Sequence, residues 1–261
     1  MKLSESRSLR KYALLLILAS FLLYFGGLGG YGLLEPDEGR YSEIPREMLE
    51  TGDFVTPRLN YVKYFEKPVL HYWLTAASLA VFGENEFAGR FWPAILALGS
   101  VLATWILARR LYGFPAAFFS SLILATSLLH FAIGRINIID MPLSFFLTAA
   151  IVGLWFGIDE TTEEETAKNR RYLLVFYAGM ALAVLSKGLI GIVLPGGILF
   201  WYILFTRRWS LVKRVLYIPG ILLFFALTVP WFVEVCRRNS DFFYFFFIQE
   251  SPSLNTSVFS Y

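Results

Sequence analysis

The sequence predicts an all-α polytopic membrane protein, a bundle of about seven transmembrane helices with interfacial helices in its first outer loop. Three observations lead there. Of the 261 residues 57% are hydrophobic and only 16% are charged, against about 25% charged in a soluble domain. The apolar residues come in long blocks rather than at amphipathic spacing. The basic residues collect in short loops whose alternation fixes an orientation. The net charge of +3 is small, so the placement of charge says more than its sum. The single cysteine, Cys236, excludes an intramolecular disulfide, and two histidines, His71 and His130, exclude a His-rich metal cluster. No Walker, Rossmann or zinc-finger spacing occurs, and nothing suggests a nucleic-acid partner.

The first block, Tyr12 to Tyr31, follows Lys2, Arg7, Arg10 and Lys11. Its apolar core of about 19 residues exceeds the roughly 7–15 of a signal-peptide core, and no small-x-small site precedes the acidic loop. It reads as an uncleaved first span with its N-terminus in the cytoplasm. Further blocks cover about 88–108, 115–133, 141–158, 172–186, 188–205 and 215–233. The short block 68–82, "PVLHYWLTAASLAVF", decides the topology. If it spans, Arg109 and Arg110, "KNRR" (168–171) and "RRWSLVK" (207–213) all face outward. If it lies at the interface, all three loops become cytoplasmic, as the positive-inside bias requires. Seven spans follow, with 172–205 divided into two short helices at "SKGLIG" (186–191). The whole chain, 1–261, reads as one transmembrane domain.

This topology gathers the unexplained polar groups on one face: the loop 31–87, the turn at Asp140, the break at Lys187 and the tail after 233. Residues 35–67 hold eight acids and five bases, with Tyr41, Phe54, Tyr61, Tyr64 and Phe65 among them, so the loop can pack on a membrane surface. "YSEIPREMLETGD" reads as a short helix closed by Gly52, with Glu43, Glu47, Glu50 and Asp53 on a solvated face. Asp37, in "EPDEGRY" just beyond the first span, reads either as a partly desolvated carboxylate of raised basicity or as a helix N-cap. Arg135 and Asp140, in "GRINIIDMP", divide evenly between a functional role at membrane depth and capping. "FEKP" brings Glu66 and Lys67 to the start of the interfacial segment. Lys187 has no acid within ten residues in sequence. It needs an anionic partner, such as a lipid phosphate, or else snorkels to the interface.

From "EPDEGRYSEIPREMLETGDFVTPRLNYVKYFEKPVLHYWLTAASLAVFGENEFAGRFWPA", "GRINIIDMPLSFF" and "LSKGLIGIVLP", the chain resembles the ArnT-like branch of the protein O-mannosyltransferase superfamily, the GT-C glycosyltransferases, over about residues 10–250. The resemblance implies transfer of a sugar from a polyprenyl-phosphate carrier to a lipid A-like glycolipid, another glycan or a protein, at the outer face of the bacterial inner membrane. It implies a catalytic role for Asp37, with Arg40 and Tyr41 shaping its pocket, and makes Asp140 the second outer-face acid. Lys67 and Lys187 would meet the carrier phosphate, and Glu66 is a candidate ligand for a divalent metal (Zn, Mg or Mn). The sequence departs from the family at Ser251, where a histidine is expected, and the family is about twice as long as this chain. Two other readings stay open: a non-catalytic fragment of such an enzyme, and a transporter or flippase. The latter would need facing polar residues within the spans or inverted repeats, and neither is seen.

Overall fold

The computed structural model describes residues 2–159 and 169–244. It is helical throughout apart from a two-strand ribbon, β1 (Arg58–Leu59) paired antiparallel with β2 (Val62–Lys63). The helices are α1 (Lys2–Phe25), α2 (Asp37–Thr51), α3 (Leu70–Phe82), α4 (Glu86–Thr126), α5 (Leu128–Ile133), α6 (Asp140–Ile158), α7 (Leu173–Lys187), α8 (Ile190–Thr206), α9 (Ser210–Val215), α10 (Ile218–Arg238) and α11 (Phe242–Tyr244). Among the described residues three of these, α4, α6 and α10, are long and apolar enough to cross a bilayer. Lys11–Phe25, α3 and α8 are shorter apolar helices.

Polar ties show which helix ends share a level. At one end, here the loop end, the first loop meets several helices. The Trp231 indole N–H donates to the Val55 carbonyl (3.0 Å), the Asn239 amide donates to Thr56 Oγ1 (2.9 Å), and the Asn137 backbone N–H donates to Glu38 (2.8 Å). At the opposite end Arg110 pairs with Asp159 (3.0 Å), and Arg214 donates to the Gly157 and Asp159 carbonyls (each 3.0 Å). The chain therefore alternates between the two levels as the basic-loop pattern predicts. α3 does not join the alternation: 13 residues rise only about 20 Å, short of a roughly 30 Å hydrocarbon core.

The expected spans 88–108 and 115–133 are separate helical segments within Glu86–Thr126 (α4), which is broken by non-helical backbone at Gly113 (φ 83°, ψ −171°), two residues before Pro115. The second of them stops at Thr126, and α5 follows as a separate turn. Sequence hydropathy does not register that break because Ser127 sits among apolar neighbours. The predicted division of 172–205 is present: α7 ends at Lys187, Gly188 adopts φ 81°, and α8 begins at Ile190.

α3 is no surface helix. Tyr72 is fully buried in a cluster with Tyr41, Ile44, Met48, Phe65, Ile139, Leu185 and Trp231, and His71 is fully buried beside Tyr41. The first loop is thus a packed layer across the bundle end. α6 and α7 approach closely: a Cβ at Gly153 would meet the Phe176 nitrogen at 2.7 Å, and one at Gly179 the Ala150 nitrogen at 2.9 Å. Such small-residue contacts let apolar helices associate in lipid, and here they set Asp140 and Lys187, at the loop-end termini of these two helices, within reach of each other.

Candidate active site at the loop end

α2 starts at Asp37, earlier than the sequence reading placed it, and ends at Gly52 (φ 69°), whose N–H donates to the Met48 carbonyl. Asp37 and Glu38 occupy its first turn, where the helix dipole favours negative charge. The N-cap is Pro36, so Asp37 does not cap. Nor is it desolvated: its side chain is 58% exposed and faces Arg40 (Oδ1 to Nη1 3.8 Å). Its position beyond the packed layer leaves the carboxylate open to a ligand.

Arg40 links the acids of this region. Its Nη1 donates to the Tyr64 hydroxyl (3.1 Å) and lies 3.9 Å from Glu66 Oε2, and the Tyr64 hydroxyl in turn donates to Glu66. Lys67 follows, half-buried. Tyr41 is buried beneath them, edge-on to His71 (5.4 Å) and stacked near Tyr72 (6.1 Å). Its phenol is pushed up to about 12, by burial first and then by the carboxylates of Asp37, Asp140 and Glu66, with Arg40 opposing. The field at one hydroxyl thus comes from four of the sequence-predicted site residues at once.

Lys187 is not the lone cation that its sequence neighbourhood suggests. Its ammonium pairs with Asp140 Oδ1 across α6 and α7, both groups partly exposed. The acid missing nearby in sequence is supplied through the fold. Asp140 stands at the first position of α6 without a capping hydrogen bond. Arg135, its companion in the sequence reading, is a C-terminal cap: its guanidinium donates to the carbonyls of Leu23, Tyr24 and Gly26 at the end of α1 (2.7, 3.1 and 2.8 Å).

Two residues that sequence reasoning did not single out hold the site in place. Arg90 and Glu38 form a bidentate ion pair (2.8 and 2.7 Å) with both side chains fully buried. Arg90 also donates to the carbonyls of Leu28, Tyr31 and Gly32, with the Tyr31 ring 3.8 Å from its guanidinium carbon. Glu38 accepts from the Leu34 and Asn137 backbone N–H groups (2.8 Å each). Burial alone would raise this carboxyl, but the guanidinium and the two N–H donors outweigh it and hold the pKa below the ordinary 4.5. The pair ties the end of α1, the start of α2, the start of α4 and the turn before α6 together, and so fixes Asp37 relative to Asp140. The signal for it was an arginine within the apolar run "EFAGRFWPA". Glu47 also departs from expectation. It is buried, not solvated, and accepts from the Tyr61 N–H (3.0 and 3.1 Å), holding the β-ribbon to α2. Glu43 and Glu50 stay at the surface on Arg46, as expected.

A divalent metal at Glu66 would have to compete with partners that the carboxylate already has. The carboxylate is already shared by Tyr64 and Arg40, and no group of three or more His, Cys, Asp or Glu side chains that could hold a metal occurs among the described residues. Ser251 lies outside the described residues.

A helical membrane bundle with a packed loop layer and paired acids and bases at one end is the architecture of the GT-C glycosyltransferases. Residues 10–246 match the dolichyl-phosphate-mannose-protein mannosyltransferase family, and the chain belongs to it. It is 33% identical over 259 residues to the undecaprenyl phosphate-alpha-4-amino-4-deoxy-L-arabinose arabinosyl transferase 2 of Pseudomonas fluorescens, covering 95% of this chain and 42% of the relative. The corresponding transferase of an Enterobacter species is 33% identical over 241 residues, covering 91% and 42%. The crystal structure of ArnT from Cupriavidus metallidurans in the apo state superposes with a TM-score of 0.88 at 35% identity, over 95% of this chain and 46% of that one. The same protein bound to undecaprenyl phosphate gives 0.87 at 36% identity, over 92% and 44%. The chain spans less than half the length of these relatives.

Proposed function

We propose that this chain takes part in moving a sugar from a polyprenyl phosphate carrier to an acceptor, as the membrane half of a glycosyltransferase. One observation carries the reading: the fold pairs Arg40 of α2 with Asp37 and with Glu66 from the loop before α3, and pairs Lys187 of α7 with Asp140 of α6, all at the loop end. The names of its relatives support an undecaprenyl phosphate-linked donor and an aminoarabinose sugar; the acceptor would be a lipid A-like glycolipid, another glycan or a protein. The basic loops at the far end orient the chain so that the site faces the periplasm from the inner membrane.

Lys187, Lys67 and Arg40 would take the donor phosphate, whose negative charge grows as it leaves. Lys187 would exchange Asp140 for a phosphate oxygen, and Arg40 would do the same with Asp37 and Glu66. The bond between the anomeric carbon and the phosphate oxygen breaks, its electron pair staying on the phosphate. A bond from the acceptor oxygen to that carbon forms on the opposite side, inverting the anomer. With a hydroxyl acceptor the proton goes to Asp37 as general base; with a phosphate acceptor Asp37 positions it. Glu38 and Arg90 keep Asp37 in register, and Tyr41 lines the pocket.

The test is transfer in proteoliposomes, with lipid-linked sugars offered one at a time. Carrier-dependent transfer that Asp37→Asn reduces is the expected result. Binding of the carrier without transfer would establish the non-catalytic fragment, and neither binding nor transfer would overturn the proposal.

A further inference from the structure

Tyr72, in the first turn of α3, is fully buried in the loop layer, and its ring stacks near that of Tyr41 (centroids 6.1 Å apart, planes at 28°). Its hydroxyl completes no hydrogen bond among the described residues. Buried phenols normally find a partner, because an unpaired hydroxyl loses its water and gains nothing in return. The ring alone would serve the stack with Tyr41, so packing does not account for the oxygen. Four groups of the loop-end site act on that oxygen. Burial comes first in holding the phenol well above the ordinary 10, Tyr41, Tyr64 and Glu66 raise it further, and Arg40 opposes. The hydroxyl therefore keeps its proton at neutral pH and is available as a donor.

Arg40 holds the Tyr64 hydroxyl (3.1 Å) and stands 3.9 Å from Glu66. In the reaction proposed above it turns from its carboxylates to the carrier phosphate, which brings anionic oxygens toward a buried hydroxyl that lacks an acceptor. We propose that Tyr72 is a further phosphate-binding residue: its O–H donates to an oxygen of the bound phosphate, beside the Arg40 guanidinium. The inference rests on the donor reading of the site and adds a contact to it. Such a hydroxyl destabilises the unliganded fold and stabilises the liganded one.

Tyr72→Phe tests this, because it removes one oxygen and keeps the ring on Tyr41. Two measurements on the protein in detergent are read together, the thermal midpoint and the dissociation constant for undecaprenyl phosphate. The midpoint should hold or rise, since an unpaired buried hydroxyl is gone. The dissociation constant should rise about tenfold, the scale of one hydrogen bond to a charged group. A purely structural hydroxyl would do the opposite, so a lowered midpoint overturns the proposal by showing that the oxygen is bonded within the fold. Equal affinity of wild type and Tyr72→Phe overturns it as well. A loss seen with the sugar-linked carrier but not with undecaprenyl phosphate gives the hydroxyl to the sugar and overturns the phosphate assignment. Failure of the wild type to bind undecaprenyl phosphate overturns the donor reading itself, and this inference with it.

Discussion

The two ends of the bundle hold their charges differently. At the loop end acids and bases are placed by the fold: Arg90 and Glu38 are fully buried together, and Lys187 meets Asp140 from another helix. At the opposite end the bases are mostly exposed. Arg110 retains half its side-chain exposure while paired with Asp159, and Arg207, Arg208 and Lys213 lie at the surface. A cation in an exposed loop needs only its sign to bias orientation. A cation fixed against a carboxylate in a layer of tyrosines can be exchanged for a substrate charge at a defined point. The basic end orients the molecule, and the loop end is where the proposed reaction would take place.

If that contrast is right, the largest effect comes from breaking the buried pair. Arg90→Leu leaves Glu38 buried without its partner and should cost about 3–5 kcal/mol, read as a fall in the thermal midpoint in detergent. A loss below 1 kcal/mol would make the pair incidental. Next is Asp37→Asn. The side chain is exposed and accepts no capping bond, so folding should hold while turnover falls about 10²-fold, the scale of a general base. Near-normal transfer would reduce Asp37 to a first-turn acid.

His71 provides a pH-dependent test of the loop end. It is fully buried, and neither ring nitrogen completes a hydrogen bond among the described residues. Burial lowers its pKa to about 4 from 6.5, with Asn137 and the Asp140 carboxylate opposing only in part. The unfolded chain therefore takes up this proton first. Stability is full above about pH 6.5 and is lost as the pH falls toward 4, by roughly 2 kcal/mol at pH 5. Thermal midpoints at pH 7.5 and 5 should converge in His71→Gln; an unchanged gap would place the acid sensitivity elsewhere. The smallest effect belongs to the basic end. Arg110→Gln should shift stability by less than about 1 kcal/mol, as an exposed pair does. In a Cys236→Ser background, cysteines placed in 207–213 should resist impermeant reagents while those in 37–66 react, and labelling of 207–213 from outside would reverse the orientation.

Much of this contrast was legible in the sequence. The helical class, the exclusion of 68–82 from the spans and the split at Gly188 follow from block length, basic loops and glycine, all of them local signals. Asp37 and Asp140 could be named because charges beside apolar blocks are costly without a purpose, whereas the site roles of Arg40 and Glu66 come only from the family resemblance. Their partners could not be read. Lys187 lies 47 positions from Asp140 and Arg90 lies 52 from Glu38, and only the packing of helices brings them together. Glu47 looked solvated because its N–H partner, Tyr61, sits in a ribbon that the sequence does not announce. The break at Ser127 is likewise set by how α5 packs rather than by composition.

The central claim is that the fixed cation at the loop end exchanges its carboxylate for the carrier phosphate. Titrating undecaprenyl phosphate against the wild type, Lys187→Gln, Lys187→Arg and, from the basic end, Arg208→Gln tests it most directly. The dissociation constant should rise about tenfold or more in Lys187→Gln, as for loss of a charge-assisted contact. It should rise less in Lys187→Arg and stay unchanged in Arg208→Gln. Equal affinity of wild type and Lys187→Gln would contradict the account and leave Lys187 as a structural partner of Asp140.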